Sequence, residues 1–180
     1  SDSLNDERVT VFNRDAMKFL EETDKVYDAI LVDLPDPSNL TLGKLYTRSF
    51  YALAARRLKA DGVMAVQSAS PFFSKTAFWC IVNTLDSTPA SNGTDGTLSV
   101  LPYHVNVPSF GEWGFTLASP GALSASDARL LVKGRYLNQA TLERLFVFPE
   151  DMRRQTTLIN RLDNQALVEY YERGYDEFSP

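Results

Sequence analysis

The stretch "YDAILVDLPDPSN", residues 27–39, constrains how the rest of the chain can fold. Its first six residues form a nearly continuous apolar run bounded by polar residues, which predicts a parallel β-strand covered on both faces. Asp33 and Asp36 follow at once, and two prolines flank the second of them, so the segment after the strand is predicted to be a stiff turn. The two aspartates either shape that turn or form a site that binds and deprotonates a cation.

Length and composition limit the kind of protein that this chain can be. Its 180 residues suffice for one domain with a sizeable core. The formal net charge of −5 argues against a nucleic-acid partner, because phosphate binding requires a basic face. One cysteine and one histidine exclude an internal disulfide and argue against a zinc site. No apolar run approaches the roughly 18 residues that span a bilayer.

Strands and helices are predicted to alternate through the first half of the chain, and two closely linked strands follow. The predicted strands are Arg8–Phe12, Tyr27–Val32, Val63–Gln67, Leu98–Val105 and Gly114–Ala118. The predicted helices are one that follows Asn13 or Asp15, and Ser49–Leu58, Phe72–Leu85, Gln139–Phe146 and Asn164–Arg173. This order predicts an α/β fold with a mostly parallel sheet and a late antiparallel strand or hairpin. We expect one domain over residues 1–180, with the sheet and its helices in 1–122 and a mainly helical part in 123–180.

Three polar residues follow predicted strands and are therefore expected at one edge of the sheet. Asp15 comes just after the first strand, Asp33 ends the second and Gln67 ends the third. In sheets of this type, ligands bind outside the carboxyl ends of the strands. Structural explanations stay open as well, because Asp15 can cap the following helix and Gln67 can bond to a neighbouring loop instead of a ligand.

A pair of carboxylates on one stiff loop suits a substrate that carries amino groups. An alkyl amine has a pKa of about 10.4, so at neutral pH it is protonated and not nucleophilic. A carboxylate that binds the ammonium and takes its proton allows the nitrogen to attack carbon, and a second carboxylate can anchor another amino group. The spacing of Asp33 and Asp36 permits this arrangement, but spacing alone favours a simple turn. Phe110 and Trp113 either wall a pocket or pack in the core.

The loop and its surroundings resemble the polyamine aminopropyltransferases, which are the spermidine synthases and their thermospermine-forming relatives. The similar motifs are Asp33-Leu34-Pro35-Asp36-Pro37, Leu45-Tyr46 with Phe50-Tyr51, and the hairpin sequence "HVNVPSFGEWGFTLAS". The tail "FPEDMRRQTTLINRLDNQALVEYY" is similar to the bacterial branch that has transmembrane helices ahead of its synthase domain. The resemblance implies the Rossmann-like fold of class I methyltransferases, a cytoplasmic domain and a membrane-attached parent protein.

The resemblance also implies a role for each candidate residue. Asp33 matches the catalytic base that takes the proton of the attacking amine, and Asp36 matches the carboxylate that binds the polyamine. Gln67 matches a glutamine on the substrate side, and Asp15 matches the acidic residue that contacts the adenine of decarboxylated S-adenosylmethionine. The implied reaction moves the aminopropyl group of that co-substrate to a di- or polyamine such as putrescine and releases methylthioadenosine. It requires no metal and no tightly bound cofactor.

Two other functions fit the same fold. One is an S-adenosylmethionine-dependent methyltransferase, although a pair of carboxylates favours an acceptor with two cationic ends. The other is a non-catalytic interaction domain that has kept the fold. The second alternative gains weight from what the sequence lacks relative to the family, namely the glycine-rich loop after the first strand and the acidic residue that ends the second strand.

These missing features predict a C-terminal catalytic-domain fragment whose sheet lacks the first two strands. Such a fragment is expected not to turn over substrate alone. The apolar strand Tyr27–Val32 is then left with an open edge, which is a pairing hazard. Either the Arg8–Phe12 strand pairs with this edge, or a second copy of the chain does, which gives a homodimer.

Overall fold

The computed structural model describes residues 3–90 and 96–176, with side chains up to residue 174. The strands are β1 (Tyr27–Val32), β2 (Leu58–Gln67), β3 (Ser99–Val107) and β4 (Gly111–Ser119). The α-helices are α1 (Ala16–Glu22), α2 (Leu40–Gly43), α3 (Arg48–Ala55), α4 (Lys75–Asp86), α5 (Gln139–Arg144) and α6 (Ala166–Asp176). Short 3₁₀ helices occur at Ser3–Asn5, Lys44–Tyr46, Ala125–Asp127 and Glu150–Met152.

The strands form one mixed sheet in the order β1-β2-β4-β3. β1 runs parallel to β2, because the chain crosses over through α2 and α3 between them. β3 and β4 form an antiparallel hairpin, which confirms the α/β class and the late hairpin. The sheet is less parallel than expected, since the hairpin places β4 antiparallel to β2 and one of the three strand pairs in the described residues is parallel.

One face of the sheet is buried and the other is half-buried. Side chains alternate along β2 and β4, and the buried set contains Met64, Val66, Thr116 and Ala118. Apolar residues of α3 and α4 join this face in one cluster, so these two helices cover it. The opposite face, which carries the half-buried Gln67, borders an open cavity.

β1 lies at one edge of the sheet and is not covered on both faces as the sequence predicts. Leu31 is 79% exposed, although its neighbour Val32 is buried. In the described part of the chain Arg8–Phe12 forms no strand, and Val9 N instead donates to Asp6 O (2.8 Å). The predicted strand at Arg8–Phe12 and its pairing with β1 are therefore wrong. A strand needs a partner for its backbone groups, and a local apolar pattern does not supply one. Pairing of this edge with a second copy stays a prediction.

The chain after Leu123 is mostly irregular rather than mainly helical. The two predicted helices are present as α5 and α6, and polar contacts anchor the irregular chain between them. Asn160 is fully buried, donates from Nδ2 to Gly43 O (3.2 Å) and accepts from Leu167 N at Oδ1 (3.2 Å). Such contacts satisfy buried backbone groups without helical periodicity, which explains why the pattern overstated the helix content. No helix within residues 3–90 or 96–176 is both long and apolar enough to cross a membrane.

Candidate functional site

The loop after β1 is held in place through its backbone. Tyr46 is buried and donates its hydroxyl to the carbonyls of Leu34 (3.2 Å) and Pro35 (3.1 Å). Burial raises the pKa of the Tyr46 phenol, and the charges of Asp36 and Asp33 raise it further. The phenol therefore stays protonated through the physiological range and keeps both contacts with the loop.

Asp36 has a hydrogen-bond donor on each carboxylate oxygen. Gln67 Nε2 donates to Oδ1 (3.2 Å), and the Tyr171 hydroxyl donates to Oδ2 (2.8 Å). Both donors are uncharged, so they orient the carboxylate without cancelling its charge. Asp36 is half-buried and lines the cavity, where this charge can attract a cation.

Asp33, three residues earlier, differs from Asp36 in its exposure and its contacts. Its side chain is exposed and makes no hydrogen bond or ion pair with residues 3–90 or 96–176. No group among these residues therefore competes with an approaching ammonium for its oxygens. A carboxylate of this kind can accept a proton without first breaking a contact.

Gln67 is the last residue of β2, and close packing fixes where that strand ends. Just beyond it, Ala69 adopts a left-handed φ of 61°, and its carbonyl accepts from Gly114 N (2.8 Å). A Cβ at Gly114 would lie 2.4 Å from the Phe78 ring and 2.8 Å from the Ala69 carbonyl. The sequence leaves open whether Gln67 bonds to a loop or to a ligand, and in this structure its amide bonds to Asp36 in the loop.

A cavity of about 680 Å³ lies between β2, the β3–β4 hairpin and the loop after β1, which we call the aspartate loop (Asp33–Pro37). Its walls are mainly apolar and aromatic, and the described lining contains two carboxylates and no lysine or arginine. The lining residues are Leu31, Val32, Asp33, Leu34, Pro35, Asp36, Ala65, Gln67, Tyr103, Val107, Phe110, Trp113 and Phe115. Such a chamber suits a ligand that is apolar along its length and positively charged at its amino groups.

The hairpin supplies the aromatic wall of this cavity. Tyr103 on β3 stacks on Phe115 of β4, with ring centroids 5.3 Å apart. Phe110 and Trp113 lie 5.6 Å apart at the hairpin tip, and Phe110 is 63% exposed. These two residues therefore wall a pocket rather than pack in the core. Aromatic faces also attract ammonium groups, which adds to the effect of the carboxylates.

Asp15 lies outside the lining of this cavity and caps α1. Its Oδ1 accepts from Met17 N (2.9 Å) and Lys18 N (3.1 Å), and Lys44 Nζ lies 3.1 Å from Oδ2. The backbone hydrogen bond from Lys18 and the contact with Lys44 lower the pKa of Asp15. The capping alternative is therefore realised, and a contact of Asp15 with adenine stays a prediction.

A second groove, of about 420 Å³, runs along β1 on the side away from β2. It is lined mainly by apolar residues of the N-terminal segment, α1 and β1, and Asp33 and Leu31 belong to both this groove and the larger cavity. Val32 and Leu34 also line both spaces, so Asp33 stands in the segment where the two spaces meet.

Tyr46 and Tyr171 both bond to the aspartate loop, although neither tyrosine was among the predicted site residues. Tyr46 belongs to the Leu45-Tyr46 motif, whose spacing from the loop could have indicated it. Tyr171 had no local signal, because its partner Asp36 lies 135 residues away and the pattern of α6 indicates an ordinary packing helix. The described residues contain no group of three His, Cys, Asp or Glu side chains arranged to hold a metal ion.

Comparison with known proteins gives a consistent picture. A family model described as the spermine/spermidine synthase domain matches residues 1–125. The polyamine aminopropyltransferase of Leptospira interrogans is 46% identical over 176 residues, which cover 97% of this chain and 33% of that protein. The polyamine aminopropyltransferase of Mycobacterium tuberculosis is 42% identical over 182 residues, with the same two shares of 97% and 33%. The chain thus spans about a third of the length of the curated relatives it matches.

Solved structures show the same fold. A crystal structure of spermidine synthase in complex with the transition-state analogue AdoDATO superimposes with a TM-score of 0.64. It is 22% identical, and the match covers 82% of this chain and 50% of that one. Spermidine synthase from Thermotoga maritima matches with a TM-score of 0.62 and 21% identity, over 82% and 49% of the two chains.

Proposed function

Because the chain belongs to the spermine/spermidine synthase family, we propose that its parent protein is an aminopropyltransferase. It transfers the aminopropyl group of decarboxylated S-adenosylmethionine to a diamine or polyamine such as putrescine. The observation that carries this proposal is the contrast between the two loop carboxylates. Asp36 is held by two neutral donors, whereas Asp33 has no side-chain partner in residues 3–90 and 96–176.

The proposed reaction is a single displacement at carbon. Asp33 binds the ammonium of the acceptor and takes one of its protons, which releases the lone pair of the nitrogen. The nitrogen attacks the carbon next to the sulfonium, the new C–N bond forms as the C–S bond breaks, and methylthioadenosine leaves with the electron pair on sulfur. Positioning of the two substrates supplies most of the acceleration.

The cavity supports an acceptor with two charged ends. Asp36 anchors one amino group, and Asp33 receives the other, which becomes the nucleophile. The aromatic residues of the hairpin contact the apolar carbon chain between them. Because the described lining has no lysine or arginine, nothing there repels a doubly protonated diamine or favours an anionic substrate instead.

We also propose that this chain alone is inactive, and that its site is completed by further chain of the parent protein. The exposed Leu31 and the apolar groove along β1 support this, since they mark where a neighbour would pack. In this chain alone, a second copy could occupy the same edge instead, which would give the homodimer that the open strand predicts. The membrane-attached parent with this domain in the cytoplasm also stays a proposal, which fractionation of cells that produce the full-length protein would test.

The decisive experiment uses the full-length parent protein, decarboxylated S-adenosylmethionine and a panel of diamines. We expect methylthioadenosine release, and a fall in its rate of about 10²- to 10⁴-fold for Asp33→Asn, because the general base is lost. Asp28→Asn is the matched control, since Asp28 lies on the strand that leads to Asp33 but is exposed and pairs with Lys59. An unchanged rate for Asp33→Asn would refute the base assignment. Release of S-adenosylhomocysteine from S-adenosylmethionine would indicate the methyltransferase instead.

A further inference from the structure

We propose that Tyr171 is a positioning residue for the acceptor amine, acting through Asp36. This inference rests on the proposed function. Tyr171 lies on α6, outside the residues 1–125 that the family model matches, yet its hydroxyl donates to Asp36 Oδ2 at 2.8 Å. The C-terminal helix is therefore a component of the amine site and not merely a packing element.

α6 is fixed rigidly enough to act as a positioning element. Buried Asn160 joins it to two other parts of the fold, because its side chain bonds to Gly43 O and Leu167 N and its backbone N donates to Thr84 Oγ1 (2.9 Å). A Cβ at Gly43 would lie 2.7 Å from Val168 Cγ2, so the Val168 side chain of α6 packs directly on the backbone at the end of α2. The position of the Tyr171 hydroxyl is thus set by direct contact with the segment that follows the aspartate loop.

The aspartate loop is consequently held from two sides by tyrosine hydroxyls. Tyr46 fixes its backbone at Leu34 and Pro35, and Tyr171 fixes the Asp36 carboxylate itself. Without the Tyr171 hydroxyl, Gln67 is the remaining described donor to this carboxylate, and a single bond leaves it able to rotate. Tyr171 therefore sets the direction in which Asp36 presents its charge to the cavity.

This orientation determines which acceptor fits. A diamine that engages both carboxylates must match its length to their separation, so a rotating Asp36 accepts a wider range of lengths and binds each less tightly. Tyr171 is thus expected to influence both the affinity for diamines and the preference among them. A residue with a merely structural role would lower stability without changing the length preference.

The binding test uses this chain and three probes: 1,3-diaminopropane, 1,4-diaminobutane and 1,5-diaminopentane, measured by titration calorimetry. For Tyr171→Phe we expect about tenfold weaker binding of the preferred diamine, as for the loss of a hydrogen bond to a charged group, and a flatter length preference. Tyr170→Phe is the matched control, because Tyr170 is the adjacent tyrosine of α6 and its hydroxyl accepts from Leu158 N instead. In an Asp36→Asn background, Tyr171→Phe should cause no further loss.

A ligand-free measurement separates this inference from the proposed function. The side-chain amide of Gln67 bonds to Asp36, so its NMR resonances should shift in Tyr171→Phe and stay in place in Tyr170→Phe. If the wild-type chain binds no diamine but these resonances shift, amine binding by this chain is refuted while the positioning contact stands. Unshifted Gln67 resonances, or a Tyr171→Phe variant with wild-type affinities and length preference, would overturn the role of Tyr171.

Discussion

The two halves of the aspartate loop differ in how firmly the protein holds them. Around Asp36, the hydroxyl of Tyr171 and the amide of Gln67 occupy both carboxylate oxygens. Around Asp33, the described residues offer no partner, and the neighbouring Leu31 is 79% exposed at the sheet edge. A group that anchors substrate charge benefits from fixed geometry, whereas a group that accepts a proton needs unoccupied oxygens. The comparison indicates that rigidity is placed around Asp36, the proposed substrate anchor, and is absent around Asp33, the proposed proton acceptor.

The largest expected effect comes from disturbing the packing that fixes the end of β2, where Gln67 holds Asp36. Gly114→Ala places a Cβ 2.4 Å from the Phe78 ring and 2.8 Å from the carbonyl of Ala69, and the backbone carbonyl has little room to move. We expect a loss of about 3 kcal/mol in the free energy of unfolding, measured by urea denaturation. Gly121→Ala is the control, with its nearest neighbours at 3.5 and 3.6 Å, and should change stability by less than about 0.5 kcal/mol. Equal effects of the two variants would show that the packing around Gly114 is not tight.

A smaller effect on stability, together with a specific effect on assembly, is expected at Leu31, which lies two residues before the exposed Asp33. Leu31→Lys should change the free energy of unfolding by less than about 0.5 kcal/mol, because the side chain is 79% exposed. If the edge joins two copies, light scattering should show a wild-type dimer that this variant converts to a monomer.

The control for this experiment is Leu131→Lys, at a residue that is 91% exposed and lies outside the groove along β1. It should leave the assembly state unchanged. A monomeric wild type would refute the homodimer. A loss of stability above about 1 kcal/mol for Leu31→Lys would mean that the edge is covered.

The smallest expected effect concerns Asp15, whose pKa is lowered by the Lys18 backbone hydrogen bond and by Lys44. Because the pKa is lower in the folded state, the stabilisation is present above the ordinary value of 3.8 and is lost as the pH falls through the lowered value. Asp15→Ala should reduce the melting temperature by about 1 °C at pH ~6, and this difference should shrink as the pH falls below the lowered pKa of Asp15. Asp24→Ala, at an exposed position, is the control. A difference that persists in acid would exclude an electrostatic origin.

Much of the fold could be predicted because its signals are local. The apolar run of β1 and the turn between β3 and β4 are each specified by neighbouring residues. The stiff turn of the aspartate loop was predicted by the prolines on either side of Asp36. Arg8–Phe12 shows the limit of this reasoning, since its pattern suits a strand but the described fold gives its backbone no partner.

The candidate site was predictable in part for the same reason. Asp33, Asp36 and Gln67 come at strand ends, which converge at one edge of a sheet, and all three line the cavity. Asp15 also follows the first predicted strand, but that strand does not form and the side chain caps α1 instead. The contact of Tyr171 depends on how α6 docks, which no short stretch of sequence encodes.

The bond between Tyr171 and Asp36 makes the docking of α6 and the occupancy of the site two parts of one equilibrium. A ligand that requires Asp36 in its present orientation binds the docked state of α6 more tightly than the undocked state. By thermodynamic linkage, such a ligand must also stabilise the docked helix. Amide hydrogen exchange along α6 should therefore slow when an amine binds, so that the last described helix reports whether the site is occupied.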